Sequence, residues 1–134
     1  MTALLAYAED DAGGLMNPRY ARVRVDATAD EAVSYLRKQA REVLESVYYV
    51  YVIDAEQKLV GVASFRDLFA APAQKLVREM LVTDLVTARE DMDQEELSRL
   101  FAEHDLQAIP VVDSEGRMKG IVTVDDIVDV IREE

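Results

Sequence analysis

The chain has 134 residues, half of them hydrophobic, no cysteine, and a formal charge of −12 from 27 acidic and 15 basic side chains. That size and apolar content can bury a core as one domain or two small halves, while disulfides and thiolate chemistry are excluded and a reducing compartment fits. So acidic a surface is a poor match for nucleic acid, whose binding rests on Lys and Arg neutralising phosphate, and it favours cations as partners.

Residues 1–11 read as the end of a helix carrying Leu4, Leu5 and Tyr7, too short to bury a face: a cut element or a docking arm. No basic leader precedes an apolar stretch, and no apolar run approaches the roughly 18 residues that span a bilayer. Asp11-Ala12-Gly13-Gly14 reads as a turn, where glycine accepts positive φ. Thr28 and Glu31 form a capping box, behind which Ala32, Val33, Leu36, Ala40, Val43 and Leu44 recur at helical spacing. Residues 47–53 have the Val, Tyr and Ile density of a buried strand. Alternation puts Tyr49 and Tyr51 on one face and Tyr48 on the other. A turn at 54–58 leads to a return strand at Leu59–Ala63, and Ser64 opens a helix containing Leu68 and Phe69 that Pro72 stops.

The scheme then recurs. Asp91 is expected to cap a helix with Gln94 at N3, and Leu97, Leu100 and Phe101 turn inward. Ala108–Val112 is a strand, 114–117 a turn, 118–122 the return strand, and a last helix from Val124 buries Ile127, Val128 and Ile131. Asp54 and Asp113 end matching strands 59 residues apart, an offset that also carries Gly61 to Gly120, Ser64 to Thr123 and Asp67 to Asp126. Upstream, an offset of 64 takes Met16 to Met80, Val33 to Leu97 and Leu36 to Leu100, so the first copy holds five extra residues. These are two βαββα halves of a mixed α/β (α+β) fold. Neither half, at about 60 residues, can bury its apolar face alone, so the two are expected to pack about a pseudo-two-fold.

Two segments could carry chemistry. In residues 120–130 a short strand ends at Thr123, and the next helix opens with Asp125 and Asp126. Thr123 with Asp126 fits a helix cap with an acid at N3. Asp125 and Asp129 stand i, i+4, and Asp126 and Asp129 stand i, i+3, so their carboxylates crowd one face. Carboxylates with water suit Mg²⁺; by composition alone a solvated acidic face is the simpler reading. Ser64 with Asp67 can likewise cap a helix or meet a phosphate. An enzyme finds no support: there is no cysteine, one histidine and no serine paired with a base, and carboxylates on one helix face imply no glycosidase cleft.

The βαββα order, the duplication and the segments Gly61-Val62-Ala63-Ser64-Phe65-Arg66-Asp67 and Gly120-Ile121-Val122-Thr123-Val124-Asp125-Asp126 resemble a pair of cystathionine-β-synthase (CBS) domains, a Bateman module, over nearly all of residues 12–134. Residues 4–16, Asp93-Gln94-Glu95-Glu96 and 122–131 further resemble MgtE-type magnesium transporters, with Ala8 where that family usually has proline. The likeness covers only the regulatory portion that precedes the family's membrane channel. It implies residues 1–11 as the end of a preceding helical domain or linker, 12–72 as a first CBS domain and 73–134 as a second.

The resemblance also implies roles. Asp93, Glu95, Asp105, Asp125, Asp126 and Asp129 match acidic positions that line Mg²⁺ sites, while His104 stands where an acid is expected. Ser64, Arg66, Asp67 and Tyr49, with Thr123 in the second copy, match positions for an adenine nucleotide, ATP or AMP. The first copy is the better nucleotide candidate, because Arg66 adds a cation and Asp125 and Asp126 oppose a polyphosphate. The expected whole is a homodimeric cytoplasmic domain of a cell-membrane transporter that senses Mg²⁺ and gates transport through the same protein's transmembrane domain. The alternative is an adenine-nucleotide-sensing module of another protein.

Overall fold

The computed structural model describes residues 11–43 and 49–127, with side chains to residue 39 in the first stretch. In chain order these form α1 (Ala12–Leu15), β1 (Arg22–Arg24), α2 (Ala29–Val43), β2 (Val50–Ile53), β3 (Leu59–Ala63), α3 (Phe65–Ala70), a 3-10 turn (Val77–Glu79), β4 (Ala88–Arg89), α4 (Gln94–His104), β5 (Ala108–Val112) and β6 (Met118–Thr123). A further helix opens at Val124. The strands make two sheets, β1-β2-β3 and β4-β5-β6. In each, a parallel pair is followed by an antiparallel one. The mixed α/β class is as expected. The chain divides into two compact units, Arg19–Leu85 and the residues on either side of it.

In the unit Arg19–Leu85, Val50, Val52, Val23 and Ala63 present one sheet face to Ala32 and Leu36 of α2 and Leu68 of α3, with Val77 closing the cluster. Alternation puts Tyr51 on the other face, and it is buried too. A strand buried on both faces explains why residues 50–53 carry no polar alternation. Each fully buried Val or Leu contributes about 1.5–3 kcal/mol. The outer edge of β1 is closed by one side chain: Gln39 of α2 accepts from the Arg22 N–H at 3.2 Å and donates to the Arg22 carbonyl at 3.1 Å. An amide that pairs both backbone groups covers an otherwise open edge.

The second unit repeats this core with Ile109, Val111, Val122, Leu97, Phe101 and Ile127, joined by Ala12 of α1. Both antiparallel pairs carry a register shift at the same place, Val52/Ile53 and Val111/Val112. Both hairpin turns are built on an aspartate. Asp54 Oδ1 accepts from Glu56 and Lys58 N–H, and Asp113 Oδ1 from Glu115 and Arg117 N–H, all at 2.9 Å.

The structure shifts the upstream repeat by one residue. Thr28 and Asp93 are equivalent caps, Leu36 and Phe101 equivalent core residues, and Val23 and Ala88 equivalent strand residues, all at an offset of 65 rather than 64. Against the downstream 59, the first copy therefore holds six extra residues, not five. The cap of α4 is Asp93, whose Oδ1 accepts from the Glu96 N–H at 2.9 Å; Asp91 lies in the preceding turn. A helix has an apolar stripe wide enough that a one-residue slip leaves its pattern plausible, and Gln94 at N3 of the wrong cap looks acceptable.

Each return strand also receives a passing segment. Asn17 exchanges two backbone hydrogen bonds with Ile121, at 2.7 and 3.0 Å, and Val82 does the same with Val62, at 2.8 and 3.0 Å. The neighbouring glycines make room. A Cβ on Gly120 would lie 2.8 Å from the Asn17 carbonyl oxygen, and one on Gly61 would lie 2.6 Å from that of Val82. The same segments cover helix starts: Ala12 and Gly13 donate to carbonyls of Met92 and Glu90, and Ala29 and Asp30 to those of Lys75 and Ala73.

Candidate functional site

Ser64 and Thr123 end equivalent strands but use their hydroxyls in opposite senses. Ser64 Oγ accepts from the Asp67 N–H at 3.0 Å, capping α3. The Asp67 carboxylate and the Arg66 guanidinium on that first turn are exposed and have no partner among the described residues. At Thr123 the carboxylate does the work: Asp126 Oδ2 accepts from the Thr123 N–H at 3.1 Å and from its hydroxyl at 3.0 Å. The first copy thus presents a free acid and a free cation, and the second has its acid occupied.

Tyr49 joins the first copy's group. Val50 pairs antiparallel with Ala63, which sets Tyr49 opposite Ser64 at the same sheet end. Its ring meets Tyr51 edge to face, with centroids 6.3 Å apart and planes at 72°, and Tyr51 meets Tyr20 at 6.2 Å and 86°. The Arg22 guanidinium lies 5.4 Å from the Tyr20 ring centre. Burial pushes the Tyr51 phenol far above its usual range, with Tyr49 adding to the shift. Burial also raises Tyr20, against the pull of Arg22. Tyr48 lies outside the described residues.

The acidic residues are spread more widely than their sequence pattern implies. Asp93 and Glu95 sit at the start of α4, and Asp105 caps its far end in a left-handed conformation, φ 50°, ψ 47°. Eleven helical residues separate these ends by about 16 Å, so Asp93 and Asp105 cannot share one ion. A hydrogen bond of 2.9 Å from the Val124 N–H to the Gln107 carbonyl ties the chain just after Asp105 to the residue before Asp125. Asp126 is held by Thr123, Asp129 lies outside the described residues, and His104 is exposed as the last residue of α4. Among the described residues no three such groups converge on a metal position. The donors suit Mg²⁺ in kind, hard oxygens open to water, yet they are not gathered on one ion.

Two clefts lie at the opposite end of the strands from Ser64 and Thr123. One, about 400 Å³, is floored by Val23 and Ile53 and rimmed by Arg22, Arg24 and Tyr35. The other, about 360 Å³, lies beside Arg89, Asp91, Val112 and Asp113. The Asp113 carboxyl is held below its usual range by the Arg117 N–H first, then by the Glu115 N–H and the charges of Lys119 and Arg117. Sequence reasoning gave Arg22, Arg24, Tyr35 and Arg89 no role. They gather where the parallel strands end, and strands of three and two residues give no periodic signal to locate that end.

The model of the CBS domain matches residues 12–74 and 77–133. Over 132 residues the chain is 48% identical to the magnesium transporter MgtE of Thermus thermophilus, covering 98% of this chain and 29% of that protein. Among solved structures it is similar to the cytosolic domain of the Mg²⁺ channel MgtE in complex with ATP, at 48% identity and a TM-score of 0.88, covering 96% of this chain and 52% of that one. The soluble part of a magnesium transporter matches at 36% identity and a TM-score of 0.89, covering 98% of this chain and 51% of that one. The chain therefore spans less than a third of the transporter it resembles. It belongs to the CBS-domain family, as a tandem pair of the kind found in MgtE-type magnesium transporters.

Proposed function

We propose that this chain is the Mg²⁺-responsive regulatory module of a magnesium transporter, a homodimer on the cytoplasmic side of the cell membrane that gates transport through the protein's transmembrane domain. The observation that carries the reading is 48% identity to MgtE along 98% of the chain. The surface of net charge −12 agrees with it. Asp93, Glu95, Asp105, Asp125, Asp126 and Asp129 are the ligand set, shared among more than one site, since α4 carries Asp93 and Asp105 at its opposite ends. Bound Mg²⁺ supplies the counter-charge that lets facing carboxylates approach. Without it they repel, and the open arrangement gains population in proportion to the difference in cation affinity between the two states.

An adenine nucleotide is the second ligand, bound by the first copy. Tyr49 offers a ring for the base, Asp67 an acceptor for ribose hydroxyls, and Arg66 with the Ser64 hydroxyl donors for phosphate. The free carboxylate of Asp67 and the occupied one of Asp126 favour one nucleotide per chain. Calorimetry tests both ligands together. Millimolar MgCl₂ and, separately, ATP should each give saturable heat, with one ATP per chain. A chain that binds neither is not this module.

A further inference from the structure

We infer that Tyr51 is a positioning residue for the nucleotide base, acting through Tyr49; this rests on the nucleotide reading above. Tyr51 is 2% exposed, and its hydroxyl is buried with no hydrogen-bond partner among the described residues. A hydroxyl so placed is unfavourable, and phenylalanine would fill the same volume without that cost. Packing therefore explains the ring but not the hydroxyl, and the ring is one of a row. That row runs Tyr20, Tyr51, Tyr49 across one sheet face, each ring set edge to face against the next.

Edge-to-face contacts fix ring planes, because the positive edge of one ring seeks the negative face of another. Tyr51 is clamped from below by strand pairing: it sits opposite Arg22 in β1 and Val62 in β3. Tyr20 braces it from the side, with the Arg22 cation near the Tyr20 ring. Tyr49, only half-buried and at the strand end, is the one ring of the three that a ligand can reach. A buried, braced ring thus sets the plane of an accessible one. Such pre-orientation reduces what a base must immobilise on stacking.

The test uses Tyr51→Leu and Tyr51→Phe in the full chain, with ATP and GTP titrated by calorimetry. Tyr51→Leu should weaken ATP by about five- to tenfold, the loss of one or two aromatic pairs, and weaken GTP in parallel, because every base offers a stacking face. Tyr51→Phe keeps the ring and should hold both affinities within about twofold. A merely structural role would lower the melting temperature of Tyr51→Leu and leave ATP affinity, measured well below that temperature, unchanged, and that result overturns the inference. It is also overturned if Tyr51→Phe loses as much as Tyr51→Leu, since the hydroxyl would then be the working group. Should Tyr51→Leu not fold, the wild type still decides. With no tryptophan in the chain, the near-ultraviolet circular dichroism comes from its six tyrosines and three phenylalanines. ATP should change the tyrosine band, and an unchanged band at saturating ATP counts against the row. If the wild type binds no nucleotide, the nucleotide reading and this inference fall together, a result distinct from binding that ignores Tyr51.

Discussion

Ser64 and Thr123 show how one residue class at one repeat position leads to two outcomes. A hydroxyl that accepts an N–H leaves the neighbouring acid free, whereas an acid that accepts from both the N–H and the hydroxyl has one oxygen, Oδ2, engaged locally. Asp67→Ala should therefore weaken ATP by roughly ten- to a hundredfold, the worth of hydrogen bonds to a charged acceptor, with little change in stability because the Asp67 N–H still reaches Ser64. Asp126→Ala should do the reverse: ATP affinity unchanged, stability lower by about 1 kcal/mol through the lost cap. Calorimetry and chemical denaturation separate the two. Asp113 gives a pH prediction. Its folded pKa is lowered by the turn's N–H groups, so its contribution is present above the unfolded value of 3.8 and is lost as pH falls through the lower folded value. Denaturation of the wild type from pH 6 to pH 2.5 should lose stability more steeply in that window than Asp113→Asn, which keeps an acceptor but does not titrate.

At the scale of elements, the two return-strand glycines were legible as repeat landmarks, but not as doors for a passing segment. Gly120→Ala should cost about 1–3 kcal/mol, because the added methyl meets the Asn17 carbonyl oxygen and the side chain of Met16 and one strand must give way. Equilibrium denaturation measures this, and an unchanged midpoint would mean that the segment at Asn17 yields freely. The hairpins β2–β3 and β5–β6 could be read closely from sequence, since Val, Ile and Tyr runs bounded by Asp turns are strong local signals. The capping box at Thr28 was equally plain, and Glu31 and Thr28 exchange hydrogen bonds as expected. What was hidden depends on tertiary pairing. Two- and three-residue strands carry no period, a helix stripe tolerates a one-residue slip, and Gln39 closing an edge has no sequence signature. Tyr49, Ser64, Arg66 and Asp67 fall near one another because they belong to one hairpin and the helix start after it, while Thr123 stands in the other copy. Helix spacing spoke only for Asp125, Asp126 and Asp129, and it could not show that α4 holds Asp93 and Asp105 apart at its two ends.

For the whole molecule, charge is the property that links fold to function. Twenty-seven acids on a chain this short repel one another, and a divalent cation relieves that repulsion more than a monovalent one when carboxylates face each other. Any ligand that binds the folded state alone raises its melting temperature in proportion to occupancy. The most direct test is thermal unfolding in MgCl₂ compared with NaCl at matched ionic strength, for the wild type and for Asp125→Asn combined with Asp129→Asn. The account predicts a wild-type stabilisation by Mg²⁺ beyond that of NaCl, and its loss in the double variant, whose melting temperature in NaCl should stay close to wild type. A double variant that keeps the full Mg²⁺-specific rise would contradict the account, leaving these aspartates as a solvated face.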